Sequence, residues 1–316
     1  MKILIIGTGQ LGSRYIQGLA TCSTLLEIWC YDQSKNSLKK SKERWKEVES
    51  RCNNHQIHWT QESNELPTKI DLAVIATNAD VRLQVLRSIL KFCHIRYLVL
   101  EKVLVQSASQ LYELEQVVKN LDGVWVNTAR RVMNWHQRIR TAINNHGSVK
   151  VSVGNSNWGL ACNAIHFLDL VSWWSDEKLT SIDSSGLEKN WCESKRPGFY
   201  EITGLLKATY SGGSELILES RMDGEELLIT VQNMEGEWCI NELNGIVTGP
   251  NGAIISGKIE LQSDMTARLV ESILKTGSCG LPNFEKSART HKVFLQSMLE
   301  HWNKTQNRND TIIPIT

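Results

Sequence analysis

Short apolar runs, each closed by a glycine or a polar residue, alternate with longer amphipathic stretches through the first 126 residues. The first run, Met1 to Ile6, breaks at Gly7. Ser13 to Cys22 follows with helical spacing and puts Leu11, Tyr15, Ile16 and Leu19 on one side. A second apolar run, Leu25 to Tyr31, ends in Asp32. Ser34 then caps a charged helix that the pattern extends to Cys52. His55 to Thr60 reads as a short strand. Asp71 to Ala76 reads as a buried one, closed by Thr77 and Asn78, and Asp80 to Phe92 as a helix. Tyr97 to Leu100 is the next strand and runs into Glu101-Lys102. Helix Gln110 to Lys119 and strand Val124 to Val126 complete the series. Alternation of this kind with short connections predicts a doubly wound parallel sheet, where ligands bind at the carboxyl ends of the strands. Gly7, Asp32, Thr77 and Lys102 all stand at such ends.

The pattern changes after residue 126. A helix from Met133 to Asn144 leads to strand Val149 to Val153. A loop with Asn157, Trp158 and Gly159 precedes a helix from Leu160 to Trp174. Strand-like runs then follow with no helices between them: Ser181–Leu187, Tyr200–Tyr210, Glu215–Ser220, Glu226–Asn233, Glu237–Asn241 and Ala253–Ile259. Such a succession predicts an antiparallel sheet. Helices at Thr266–Lys275 and Phe284–Lys304 close the chain. The expected fold is therefore α/β. Residues 1–126 form the doubly wound domain. Residues 127–316 form an α+β domain with a large, mainly antiparallel open sheet. One face of that sheet is expected to expose Leu205, Leu216, Leu218 and Leu228, a surface suited to forming a homodimer or homotetramer.

Gly7, Gly9 and Gly12 make G-x-G-x-x-G between the first strand and the first helix. Gly7 permits the turn out of the strand, Gly9 lets backbone approach a pyrophosphate, and Gly12 lets helix and sheet come close. Gln10 and Leu11 belong to the same loop. Asp32 lies twenty residues after Gly12, at the tip of the second strand, where an acid holds ribose hydroxyls. A 2′-phosphate at that place would meet a carboxylate, so NAD is expected over NADP, with Lys35 nearby as a moderating cation.

Net charge of +1 with mixed signs gives no electrostatic reason to expect nucleic acid or an anionic membrane as a partner. No apolar stretch has the length of a membrane span, and the first one is too short for a signal peptide, so a cytoplasmic protein is expected. The eight cysteines are scattered without zinc spacing, and no metal is expected.

These residues resemble the Gfo/Idh/MocA oxidoreductases over nearly the whole chain. The resemblance is carried by the glycine motif, the Thr77 turn, the Glu101-Lys102 pair and His166-x-x-Asp169. It implies a Rossmann domain, a second domain whose open sheet often mediates assembly, and use of NAD or NADP on sugars and their derivatives. It places Thr77, Asn78 and Glu101 with the cofactor and Lys102 and His166 at the reaction. Three positions depart from the family pattern: Val103 replaces the proline after Glu-Lys, Asn78 the proline after Thr77, and Cys162 the aspartate four residues before the histidine. The stretch Gly159 to His166, with Lys195-Arg196-Pro197-Gly198-Phe199, resembles a subgroup met in bacterial surface-sugar pathways.

A lysine at the cofactor edge can give a proton to a carbonyl as hydride arrives, or stabilise the alkoxide. His166 has a near-neutral pKa suited to proton transfer, although a histidine among Ile165, Phe167 and Leu168 is often simply a core residue. Asp169, one turn on, can hold that ring or the substrate, and Asn163, one turn back, can bond a substrate hydroxyl. Lys195 and Arg196 suit a phosphate or carboxylate, as do Arg130 and Arg131, unless they are solvated loop residues. The expected activity is hydride transfer between a nicotinamide and a sugar or nucleotide-sugar. The rival is a dinucleotide- or sugar-sensing regulator on the same fold, which needs the glycines and Asp32 but not both Lys102 and His166.

Overall fold

The computed structural model describes residues 1–51, 54–143, 147–223 and 225–316. Cys52 and Asn144, the expected ends of two helices, lie outside them. The chain divides into two compact units. The first contains residues 1–105, 112–127 and 260–284; the second contains 106–111, 128–259 and 285–316.

In the first unit strands β1 (Lys2–Ile6), β2 (Glu27–Tyr31), β3 (Gln56–Thr60), β4 (Lys69–Ile75), β5 (His94–Glu101) and β6 (Gly123–Asn127) form one parallel sheet in the order 3-2-1-4-5-6. Helices α1 (Gly12–Leu19), α2 (Lys35–Lys46), α3 (Ala79–Ile89) and α4 (Ala108–Val118) connect the strands. Ile3 to Ile6 and Leu72 to Ile75 are buried on both faces, which explains their unbroken apolar runs. Strand order reverses between β1 and β4, so the crevice at their carboxyl ends is where such a sheet takes a ligand. Ser34 caps α2 as expected, accepting from the Ser37 backbone at 3.2 Å.

The second unit opens with a 3₁₀ turn (Ala129–Val132) and α5 (Asn134–Ile143). Its sheet contains β7 (Lys150–Gly154), β8 (Leu179–Leu187), β11 (Gly204–Tyr210), β12 (Glu215–Ser220), β13 (Leu228–Asn233), β14 (Gly236–Asn241), β15 (Ile246–Thr248) and β16 (Ile254–Ser256), in the order 16-15-14-13-7-12-11-8. All pairs are antiparallel except β7 with β12. Helix α6 (Leu160–Ser175) packs against β12. A separate two-stranded hairpin joins β9 (Cys192–Glu193) to β10 (Tyr200–Glu201).

Three expectations are corrected here. The run Tyr200–Tyr210 is two strands: Tyr200 and Glu201 pair with β9, Ile202 and Thr203 lie outside both strands, and Gly204 (φ +109°) opens β11, where a Cβ would lie 2.7 Å from backbone atoms of Gly186, Leu187 and Glu188. In β12 the register is shifted by one, so Leu216 and Leu218 are fully buried and Glu215 and Ile217 face outward. Leu205 and Leu228 do lie half-buried on the outer side, among Lys207, Gln232 and other polar residues. Finally, α7 (Gln262–Thr276) packs against α1 in the first unit, and only α8 (Phe284–Gln306) closes the second. The contact is close because Gly18 has no side chain: a Cβ there would lie 2.6 Å from the Ser263 carbonyl and from Thr266.

Candidate active site

The glycine loop has three separate reasons for its three glycines. Gly7 turns out of β1 with φ +82°. A Cβ on Gly12 would lie 1.8 Å from the Gly7 carbonyl oxygen, so only glycine lets α1 start this close to the strand. Gly9 meets nothing beyond its chain neighbours: no other atom of the described residues lies within 4 Å of where its Cβ would be. Its constraint comes from no neighbour in the fold, which is what a backbone reserved for a ligand requires.

Gly7, Gly9, Asp32, Thr77 and Asn78 line one cavity of about 460 Å³, together with Gln33, Ser63, Val81, Gln84 and Ser88. Five of the expected site residues are thus gathered. Asp32 Oδ2 accepts from the Thr8 backbone at 2.7 Å and its hydroxyl at 3.3 Å, and Oδ1 accepts from Ser34 N at 2.8 Å. The carboxylate ties the β1 and β2 ends together while staying in the cavity wall. The Thr77 hydroxyl is buried with no partner among the described residues. An open glycine loop, an acid at the β2 end and an unsatisfied hydroxyl fit an adenine dinucleotide. The helix start adds N–H groups and a positive dipole end.

The other expected cofactor residues are placed differently. Leu11 is the N-cap of α1, and its carbonyl accepts from Arg14 and Tyr15. The Gln10 side chain is exposed and held by Arg44: its amide oxygen accepts from that guanidinium at 2.7 Å, and its carbonyl at 3.1 Å. Glu101 is only 3 % exposed, and its Oε1 accepts from Tyr15 Oη and Asn127 Nδ2, both at 2.6 Å. Burial pushes its carboxyl above the ordinary range, against the pull of these donors and of Arg82. Glu101 therefore braces the end of β5 from inside the core and is not a cofactor ligand in this geometry. Lys102, the next residue, is half-buried at the strand end. The peptide bond after it is cis.

In the second unit α6 carries Asn163, His166 and Asp169. His166 is partly exposed, whereas Ile165, Phe167 and Leu168 are buried, so its side is not the core side of the helix. Asp169 is engaged by Arg131 and Thr128. It is 4 % exposed and takes Arg131 in a two-point pair, Nε to Oδ2 at 2.5 Å and Nη2 to Oδ1 at 2.7 Å, with the Thr128 hydroxyl at 2.7 Å. Arg130 likewise pairs with Glu242 (2.7 and 2.6 Å) and lies 4.4 Å from the centre of the Phe167 ring. Both arginines brace α6 within the unit instead of waiting for an anion. Asn163 Nδ2 donates to the Trp158 and Gly159 carbonyls at 2.9 and 3.1 Å, fixing the turn into α6. Lys195 and Arg196 are exposed near the tip of the β9–β10 hairpin. Glu201, which the sequence did not single out, accepts at Oε2 from Ala161 N at 2.8 Å and so caps α6. Only its distance from α6 in sequence hid it.

The fold so defined, a 3-2-1-4-5-6 parallel sheet followed by a large mixed sheet, is shared end to end with solved dehydrogenases and reductases. UDP-N-acetylglucosamine 3-dehydrogenase GnnA from Acidithiobacillus ferrooxidans aligns with a TM-score of 0.68 at 15 % identity, covering 97 % of this chain and 99 % of that one. Scyllo-inositol dehydrogenase from Lactobacillus casei, with bound NAD(H) and scyllo-inositol, aligns at 0.67 and 17 % identity, covering 98 % of each chain. Biliverdin reductase from Synechocystis, in complex with biliverdin and NADP+, aligns at 0.71 and 15 % identity, covering 94 % of this chain and 98 % of that one. No protein-family model and no curated protein matches the sequence.

Proposed function

We propose that this chain is a nicotinamide-dependent oxidoreductase of the Gfo/Idh/MocA type, acting on a sugar or nucleotide-sugar derivative. The observation that carries the reading is Gly9: a glycine with open space before it, between two glycines explained by packing, in the wall of a cavity that also holds Asp32 and Thr77. The loop from Gly7 to Gly12 would hold the pyrophosphate, Asp32 the adenosine ribose, and Thr77 and Asn78 the span towards the nicotinamide. A nicotinamide bound there would supply or accept the hydride. Lys102 then gives or takes the proton at the reacting oxygen and stabilises its negative charge, and His166 orients the substrate hydroxyl or relays the proton. Asp32 supports NAD over NADP. The dehydrogenase neighbours with sugar-related names support a CH–OH group as the reacting centre, and the resemblance of Gly159 to His166 supports a surface-sugar intermediate.

Titration with NADH and NADPH tests the reading. The protein should bind NADH more tightly than NADPH. Gly9→Ala should fold and melt like the parent, since its methyl touches nothing, and lose about tenfold or more in NADH affinity. Lys102→Met should bind NADH as the parent does. An unchanged Gly9→Ala affinity, or no NADH binding by the parent, would remove the basis of the proposal.

A further inference from the structure

Among the described residues Arg82 is the largest fully buried charged side chain, 1 % exposed, and its hydrogen bonds go to main-chain carbonyls. It extends from α3 to the carboxyl ends of two adjacent strands. Nη2 donates to the Thr77 carbonyl, just after β4. Nη1 donates to the Val103 carbonyl and, at 3.0 Å, to that of Leu104, just after β5. Burial lowers the guanidinium to about 10, with Glu101 and Asp80 opposing that effect from a distance. It therefore stays charged at neutral pH. A charge this deep is costly unless its donors are matched. Here the two Nη groups are matched by three main-chain oxygens at the strand ends assigned to the nicotinamide half of the site, while Nε is buried without a partner among the described residues.

Lys102 is pinned on both sides by this arrangement. Before it, the Glu101 carboxylate is fixed by Tyr15 and Asn127. After it, Val103 is fixed by Arg82. The same guanidinium holds Thr77, whose hydroxyl lies unsatisfied in the cavity wall. Other fixtures of the crevice, Asp32 with Thr8 and Gln10 with Arg44, lie on the β1 and β2 side and do not involve Arg82. We propose that Arg82 is a positioning residue: one planar fork sets the spacing between Thr77 and Lys102, the strand ends that meet the nicotinamide half of the dinucleotide. Lysine cannot replace it, because a single ammonium has no rigid fork with which to bridge both strand ends.

This rests on the dinucleotide reading, and the test separates the two. NADH and ADP-ribose, which lacks the nicotinamide, are titrated into the parent, Arg82→Met and Arg82→Lys by calorimetry, with a thermal melt of each. Both variants should weaken NADH by about tenfold or more while ADP-ribose changes by less than about twofold, because misplaced strand ends affect only the group they meet. A purely structural role predicts equal weakening of both ligands, and that result overturns the inference while leaving the dinucleotide reading intact. Full NADH affinity in Arg82→Lys overturns it too, since charge alone would then suffice. A parent protein that binds neither ligand takes down the dinucleotide reading and this inference with it. If Arg82→Met has no cooperative melt, Arg82→Lys and Arg82→Gln carry the same comparison.

Discussion

His136 shows how a single buried group ties stability to pH. It is fully buried, with Nε2 2.8 Å from Glu242 Oε1. Burial lowers its pKa below the ordinary imidazole value; Glu242 pulls the other way with less effect, and Arg130 adds to the lowering. The unfolded chain thus takes up this proton first as pH falls. The stability linked to His136 is present above about pH 6.5 and is lost as pH drops from there towards the lower folded value. For Glu242, burial alone would raise the carboxyl, but Arg130 and His136 hold it well below its ordinary range. Its contribution is present above about pH 4.5 and disappears on further acidification. The urea midpoint should therefore fall between pH 7 and pH 5, and fall less in His136→Gln. Below pH 4.5 both proteins should lose stability steeply. A parent midpoint that rises from pH 7 to pH 5 would contradict this account.

At the scale of elements, α6 is held by charge pairs that its own sequence does not announce. Arg131 and Asp169 are nearly buried, with side chains 11 % and 6 % exposed. Arg131→Met should cost about 3–5 kcal/mol in urea unfolding, because it leaves the Asp169 carboxylate buried and unpaired. Adding Asp169→Leu should recover a large part of that loss by removing the stranded charge. A double variant no more stable than the single one would show that the pair is not the source of the effect. The same pair marks what the sequence could and could not tell. Gly7, Gly9, Gly12, Asp32 and the Ser34 cap are legible because their partners lie within a strand–helix–strand unit. Arg131 with Asp169, and Glu201 with the start of α6, join residues 38 and 40 positions apart. Spacing along one helix naturally suggested His166 for Asp169, and only packing shows that Arg131 takes it. The register of β12 failed for a related reason: the run Leu216-Ile217-Leu218 is apolar at every position, so alternation could not say which side was inward.

For the molecule as a whole, the corrected register leaves the outer face of the large sheet less apolar than expected, with Leu205, Leu228 and a partly exposed Ile217 among charged and polar neighbours. Association through this face remains our expectation for assembly as a dimer or tetramer, and it should be weak enough to respond to dilution. Light scattering across a concentration series should show a shift towards monomer at low concentration. A monomer at every concentration up to tens of micromolar counts against the face as an interface.

Helix α7 returns to the first unit, where Thr266 meets Gly18 and Glu271 accepts from the Ser23 hydroxyl at 2.7 Å. This has a consequence for how the protein comes into being. A ribosome finishes β6 at residue 127, yet the segment that covers α1 begins only at residue 260, 133 residues later (260 − 127). At about 5–20 residues per second the nascent chain waits roughly 7–27 seconds for it. During that interval the surface destined for Leu269, Val270 and Ile273 has nothing of its own chain to cover it. The first unit of this protein starts first and finishes late, so its exposure to chaperones and proteases is set by the speed of translating a sheet to which it does not belong.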